Sequence, residues 1–307
     1  MAAETSSPVC AFVGLGAMGW HMAAHLLTQR RRKEGRGTST LVHNRSAAVS
    51  ERHASTFGTQ ACATLAELTA ANVVCLCLPT SVEVLAVATQ LADILAAGSL
   101  VLDATSGDPT VSRAVAELLL ARGIAYVDAP VSGGPRGAEA GTLTTMLGGR
   151  DDDVARATRV AACWSKKITH VGGWGTGHAT KAINNALNFT HLAVACEGLL
   201  ALKALGVSPE KALSVINSSS GRSLQTEVRI PNRICTRTFD YGFKLSLMAK
   251  DVRIADNTLD RHFPAATFIR AARVFADAAV ERLGPGADYT ECVKELEMRI
   301  GGGVVLS

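Results

Sequence analysis

Eight consecutive residues, Lys181-Ala-Ile-Asn184-Asn185-Ala-Leu-Asn188, set one amine and three amides three and four positions apart in a segment otherwise rich in Ala, Leu, Val and Phe. No proline interrupts residues 180–205, so the segment predicts a helix of ~25 residues, about 40 Å long at ~1.5 Å per residue, nearly core from end to end. With an advance of ~100° per residue the four polar side chains share roughly one 100° sector. An amine among amides on an apolar wall can bind a polar ligand and move a proton, and such a wall favours a lysine of lowered pKa. Asn185, one turn beyond Lys181, would steady the same ligand oxygen. A helix end whose amides cap neighbouring backbone, with its lysine in solvent, would give the same pattern.

Two glycine-rich segments offer anion chemistry. Gly14-Leu15-Gly16-Ala17-Met18-Gly19 follows an apolar run and opens a helical one at residues 20–29. In this spacing the first glycine permits a tight turn, the second lets backbone approach a pyrophosphate, and the third lets the helix pack on the strand. The pyrophosphate then meets the helix N-terminus. Farther on, Ser132-Gly133-Gly134 provides a hydroxyl and successive unhindered N–H groups, expected at the carboxyl edge of a parallel sheet, where an anion fits. After the second predicted strand the chain reads His43-Asn44-Arg45-Ser46, with an arginine and small polar residues where an NAD site would carry a carboxylate. That combination suits the 2′-phosphate of NADP, with NAD possible.

The elements that must position these groups are legible as alternating patterns. Residues 9–13, 40–43, 73–78, 100–103 and 125–128 read as strands separated by helical periodicity, which predicts a doubly wound, Rossmann-type parallel sheet. Residues 143–148 and 167–171 read as two further strands bracketing a helix at 151–162. From residue 176 onward strand signals stop, and helical segments are broken at residues 206–209, 218–221, Pro231, Pro264 and 284–286. The expected fold is α/β, with a dinucleotide-binding domain over 1–175 and an all-α substrate and oligomerisation domain over 176–307.

At 307 residues the chain can build two cores, and no apolar run approaches the ~20 residues of a membrane span. The net charge of +4 owes much to the run Arg30-Arg31-Arg32-Lys33-Glu34-Gly35-Arg36, which has no interleaved aromatics and is expected to be a solvated loop rather than a nucleic-acid or membrane patch. Eight scattered cysteines, several within apolar runs, suit a reducing compartment, and no ligand spacing calls for a metal. Residues 1–8 show no targeting segment, so a cytoplasmic location is expected. An apolar helical second domain makes a homo-oligomer the expected state.

Taken in order, Gly14-x-Gly16-x-x-Gly19, Asp128-Ala-Pro-Val-Ser-Gly-Gly134, Gly175-x-Gly177-x-x-x-Lys181-x-x-Asn-Asn185 and Lys250-Asp251 resemble the β-hydroxyacid dehydrogenase family, from about residue 9 to 296. Asn217-Ser-Ser-Ser-Gly221-Arg222-Ser223 is similar to a segment of its 3-hydroxyisobutyrate branch. The resemblance implies Lys181 as catalytic acid/base, with Ser132, Gly133, Gly134 and Asn185 holding a small carboxylate substrate. It also implies that Lys250 reaches back to the cofactor and that Leu78-Pro79 lines the nicotinamide ribose. Asp103-Ala-Thr105-Ser106 departs from the usual Asp-x-Ser-Thr, which puts Ser106 in the place of a cofactor-contacting threonine. Glu83 stands where asparagine is common, and the basic run lengthens the usual helix-to-strand turn. The implied activity is reversible oxidation of 3-hydroxyisobutyrate to methylmalonate semialdehyde. Related semialdehyde and glyoxylate reductases and imine reductases share the scaffold, although imine reductases commonly lack the lysine. A non-catalytic dinucleotide-binding module is the reading from another class.

Overall fold

A computed structural model describes residues 9–35 and 39–307. The expectation about residues 1–8, and Arg36 of the basic run, lie outside them. The chain divides into two compact units, residues 1–181 and 182–307.

The first unit is a nine-stranded sheet: β1 Cys10–Val13, β2 Thr40–His43, β3 Gln60–Cys62, β4 Val73–Leu76, β5 Leu100–Asp103, β6 Ala125–Asp128, β7 Val131–Ser132, β8 Leu143–Gly148 and β9 Ser165–Gly172. Its helices are α1 Gly19–Glu34, α2 Ala47–Phe57, α3 Ser81–Ile94, α4 Pro109–Leu120, α5 Gly134–Ala140 and α6 Asp151–Ala161. The order is β3-β2-β1-β4-β5-β6-β8-β7, with β9 beside β8. The strands from β3 to β6 are parallel. Alternate residues feed two cores: Phe12, Val42, Cys75, Leu102 and Val127 pack on one face, and Ala11, Leu41, Val74, Val101 and Tyr126 on the other. Burial on both faces is what makes these strands continuous apolar runs. Each fully buried Leu, such as Leu26 under α1 or Leu91 under α3, contributes about 1.5–3 kcal/mol.

The sheet departs from the all-parallel expectation at its far edge, where β8 runs antiparallel to both β6 and β7. Residues 133–142 are too few for a parallel crossover, which takes about a dozen, so the chain folds back on itself. Ser132 therefore lies on a two-residue antiparallel strand, paired with Thr144, rather than at the edge of a parallel one. Strands β3 and β7 escaped the sequence reading because each is shorter than a detectable alternation.

The basic run is also corrected. Residues 30–34 are the end of α1, not a loop. Arg30 is buried and donates to the Ser39 carbonyl at 2.8 Å, while Arg31 donates to the Gly58 carbonyl at 2.8 Å, beyond the end of α2.

The second unit carries most of α7, Thr176–Ala204, then α8 Pro209–Asn217, α9 Leu245–His262, α10 Phe268–Leu283 and α11 Val293–Ile300. Its core gathers Phe189, Leu192, Cys196, Leu199, Ile230, Met248, Val252 and Phe275. Helix α7 is not core throughout, because Leu187 and Val194 are exposed. Pro231 breaks nothing. It lies inside a π-helical segment, Gln225–Ile234, whose wider winding continues past the missing N–H, with Cys235 N donating to the Ile230 carbonyl at 2.9 Å. Among the described residues no helix is long and apolar enough to cross a membrane.

Candidate active site

The β1–α1 turn gives each glycine a different task. Gly14 has φ +94°, and a Cβ there would lie 2.3 Å from the Cys77 carbonyl oxygen. A Cβ on Gly19 would lie 2.0 Å from the Gly14 oxygen, so the third glycine sets how closely α1 meets the turn. At Gly16 a Cβ would meet nothing within 4 Å. Backbone is thus left bare at the exposed crest of the turn, at the N-terminus of a 16-residue helix. A pyrophosphate fits such a cradle, so the residues present suit a dinucleotide.

The partners of this turn refine the predicted roles. Leu15 is buried and its N–H donates to Asn44 Oδ1 at 3.1 Å, while Asn44 Nδ2 reaches the Ser46 carbonyl at 3.3 Å. Asn44 thereby ties the glycine turn to the loop after β2. Ala17 and Met18 complete the turn into α1, and Arg45 and Ser46 are exposed beyond β2. The Thr80 hydroxyl holds the Glu83 carboxyl below its ordinary range, with partial burial opposing and Arg45 assisting. Arg45 therefore lies within electrostatic reach of Glu83. Leu78 and Pro79 lie in the loop between β4 and α3, and the Leu78 N–H donates to Thr105 Oγ1 at 3.0 Å. Buried Thr105 is spent on that loop, which leaves Ser106, half-buried, as the hydroxyl nearer the surface.

The turn after β7 is built from two glycines in left-handed backbone, Gly133 at φ +136° and Gly134 at φ +66°. Only glycine takes these conformations cheaply, so the residue types answer first to the turn. Ser132 is half-buried just before it.

On α7 the predicted stripe narrows. Lys181 and Asn185 are 8% and 7% exposed, whereas Asn184 faces solvent and Asn188 accepts from Gln225 Nε2 at 2.8 Å. The sector estimate was too generous because side chains at its two edges meet different surroundings. Asn185 has a partner the sequence reading had left without a role. Its Nδ2 donates to Asp251 Oδ2 at 2.6 Å, and Lys250 Nζ lies 3.1 Å from the other oxygen of the same carboxylate. Asp251 is 2% exposed. A carboxylate accepts only, so it fixes which way the Asn185 amide points, while Asn185 Oδ1 accepts from Asn184 at 3.2 Å. The signal was present as Lys250-Asp251, but nothing in the spacing said that the aspartate would serve a helix 66 residues earlier.

The cysteines nearest the turn are poor nucleophiles, since burial pushes the Cys77 thiol up to about 12.

Residues 9–172 match the family profile described as the NAD-binding domain of 6-phosphogluconate dehydrogenase, and residues 175–296 match that described as NAD-binding of NADP-dependent 3-hydroxyisobutyrate dehydrogenase. The chain is 33% identical to 2-(hydroxymethyl)glutarate dehydrogenase of Eubacterium barkeri, over 95% of this chain and 96% of that one. It is also 33% identical to a probable mitochondrial 3-hydroxyisobutyrate dehydrogenase of Dictyostelium discoideum, over 82% of this chain and 79% of that one. Among solved structures, the Mycobacterium tuberculosis 3-hydroxyisobutyrate dehydrogenase with L-serine superposes at a TM-score of 0.86, with 26% identity over 94% of this chain and 99% of that one. Because the likeness runs through the helical half as well as the nucleotide-binding half, it is more than a shared dinucleotide fold: the chain belongs to the NAD(P)-dependent β-hydroxyacid dehydrogenase family.

Proposed function

We propose that this oxidoreductase interconverts a 2-(hydroxymethyl)carboxylate and the corresponding 2-formyl carboxylate, with 3-hydroxyisobutyrate to methylmalonate semialdehyde as the leading case and NADP as the preferred cofactor. The observation that carries the reading is a buried lysine one turn from a buried asparagine whose amide is held by Asp251. The names of the relatives support the substrate class. 3-Hydroxyisobutyrate, 2-(hydroxymethyl)glutarate and L-serine all place a CH2OH on the carbon next to a carboxylate and differ only in the third substituent.

In the oxidation direction Ser132 and the backbone of Gly133 and Gly134 receive the carboxylate. Lys181 accepts the hydroxyl proton as the C–H bond breaks, and returns it on reduction. Asn185 holds the reacting oxygen through the amide hydrogen that Asp251 leaves over. Orientation of the carbinol carbon supplies much of the rate. The residues that would hold the dinucleotide are Gly14, Leu15, Gly16, Ala17, Met18 and Gly19 at the pyrophosphate, Asn44, Arg45 and Ser46 at the adenosine end, and Leu78, Pro79, Ser106 and Lys250 toward the nicotinamide. The nicotinamide, when bound, supplies the hydride acceptor. The reading requires no metal. Arg45, with no carboxylate at its strand end, supports NADP.

The partners proposed are a small carboxylate and a second copy of the chain, rather than nucleic acid or membrane. Exposed Leu187 and Val194 on α7 favour self-association, and the backbone contacts of Arg30 and Arg31 weigh against a basic binding patch.

The test is a panel of (S)-3-hydroxyisobutyrate, 2-(hydroxymethyl)glutarate, L-serine, glycerate and 4-hydroxybutyrate with NADP and NAD, run on wild type and Lys181→Ala. Wild type should favour 2-(hydroxymethyl)carboxylates, and the variant should lose at least ~100-fold in kcat with cofactor affinity little changed. Preference for 4-hydroxybutyrate would overturn the substrate class, and a near wild-type Lys181→Ala would overturn the assignment of roles.

A further inference from the structure

Asp128 is the only member of the Asp-Ala-Pro-Val-Ser-Gly-Gly motif with an ionisable side chain, and it is wholly buried at the end of β6. Its two oxygens are taken up by the start of α7. Oδ1 accepts the Gly175 N–H at 2.7 Å and Oδ2 accepts the His178 N–H at 2.9 Å. Two of the N–H groups that the beginning of a helix leaves without intrahelical partners are thus met by one carboxylate from a distant strand. Negative charge at that end also opposes the helix dipole favourably.

The surroundings are shaped for this contact. A Cβ on Gly148 would lie 2.6 Å from both Asp128 oxygens, and one on Gly177 would lie 2.7 Å from Oδ2. Gly175 has φ +85°, and its Cβ would lie 2.5 Å from the Pro109 carbonyl oxygen. The His178 ring behind the contact is fixed by Ser112, whose Oγ lies 2.6 Å from Nδ1. The glycines at 148 and 177 are therefore explained by a close approach between β6, β8 and the first turn of α7, and Gly175 by its own backbone conformation and its approach to the start of α4. Burial pushes the Asp128 carboxyl above its ordinary range even against His178 and the two N–H groups that draw it down. The charge is not there because it is cheap.

We propose that Asp128 is a positioning residue for the reaction: by clamping the first turn of α7 to the strand that leads into Ser132-Gly133-Gly134, it sets the place of Lys181 relative to the bound carboxylate. Lys181 lies three residues, about one turn, beyond His178 on the same helix. Asp128 itself touches neither substrate nor proton in this scheme. The inference rests on the reading of Lys181 given above.

Asp128→Asn keeps the size but offers one accepting oxygen and an amide to two N–H donors. With folding checked by thermal unfolding, kcat for the best hydroxy acid should fall at least ~10-fold while the KM for NADP stays within ~3-fold. Gly148→Ala, which keeps the carboxylate but crowds it, should act in the same direction. In a Lys181→Ala background Asp128→Asn should change the residual rate by less than ~2-fold, since a residue acting through Lys181 has nothing left to position. An unchanged kcat, or an equal loss with and without Lys181, overturns the proposal. Hydrogen exchange gives a readout independent of turnover: amides at 175–178 should be protected to about the level of β6 in wild type and exchange at least ~10-fold faster in Asp128→Asn. Should that variant not fold, loop-like exchange at 175–178 in wild type overturns the clamp by itself. A near wild-type Lys181→Ala would instead sink the catalytic roles, leaving exchange to decide the clamp alone.

Discussion

Replacing single glycines in the β1–α1 turn should separate cofactor binding from stability. At Gly16 a Cβ meets no atom within 4 Å, and the backbone there does not lie in the left-handed region. Gly16→Ala should therefore change the unfolding free energy by no more than about 0.5 kcal/mol, the range of an unobstructed surface substitution. The new methyl nevertheless enters the space a pyrophosphate must occupy, and displacing one or more charge-assisted N–H contacts worth about 1.5–3 kcal/mol each should weaken NADP at least ~10-fold and up to ~150-fold. Gly14→Ala behaves differently. It combines φ +94° with a Cβ 2.3 Å from the Cys77 oxygen, so backbone strain of about 1–3 kcal/mol adds to a clash that cannot be relieved by turning a side chain. Calorimetric titration with NADP and thermal unfolding of the cofactor-free protein give both quantities. Wild-type NADP affinity in Gly16→Ala would show that the crest of the turn does not receive the pyrophosphate. A fall in Tm as large as that of Gly14→Ala would show that the space at Gly16 is not open.

Arg45→Ala should lower the NADP-to-NAD preference by about 10- to 150-fold, chiefly through NADP, since a charge-assisted contact to the 2′-phosphate is worth about 1.5–3 kcal/mol; an unchanged kcat/KM ratio would make Arg45 a bystander. Asp251→Asn removes the carboxylate shared by Asn185 and Lys250, and kcat should drop about 10-fold or more in protein of unaltered helicity, with full activity arguing that the amide needs no lock. His53 is buried between Trp20 and Phe57, and burial lowers its pKa below 6.5 against the pull of the Trp20 carbonyl. Since the unfolded chain then binds the proton more readily, stability should be complete above about 6.5 and decline as pH falls toward the folded value. The difference in unfolding free energy between wild type and His53→Gln should shrink over that window, and a difference independent of pH would refute it.

What the sequence revealed and what it hid follow from how local each determinant is. The β1–α1 turn was legible because its three glycines stand within six residues of one another at a fixed spacing, and each recurs in the structure as a separate Cβ contact or open space, although the carbonyl that crowds Gly14 comes from distant Cys77. The long α7 and the five central parallel strands were legible because burial enforces a period, of 3.6 in one case and continuous apolarity in the other. The antiparallel return of β8 was not, because the ten-residue connection before it and the sixteen-residue one after it look alike until strand direction is known. Arg30 was read as solvent-facing for a related reason: charge predicts exposure only when no carbonyl waits nearby, and the carbonyl that Arg30 meets belongs to Ser39, nine residues on. The two aspartates show the limit most clearly. Asp128 and Asp251 were both quoted as parts of motifs, yet the amides they receive come 47 to 66 residues away, and a spacing rule cannot anticipate that reach. Both serve α7, one at its first turn and the other at Asn185. A helix carrying a buried amine and a buried amide is thus held at two points by acids that local pattern assigned to no task. The side chains expected to meet the substrate were visible in the sequence, whereas the carboxylates that fix their helix and their orientation emerge only from the fold.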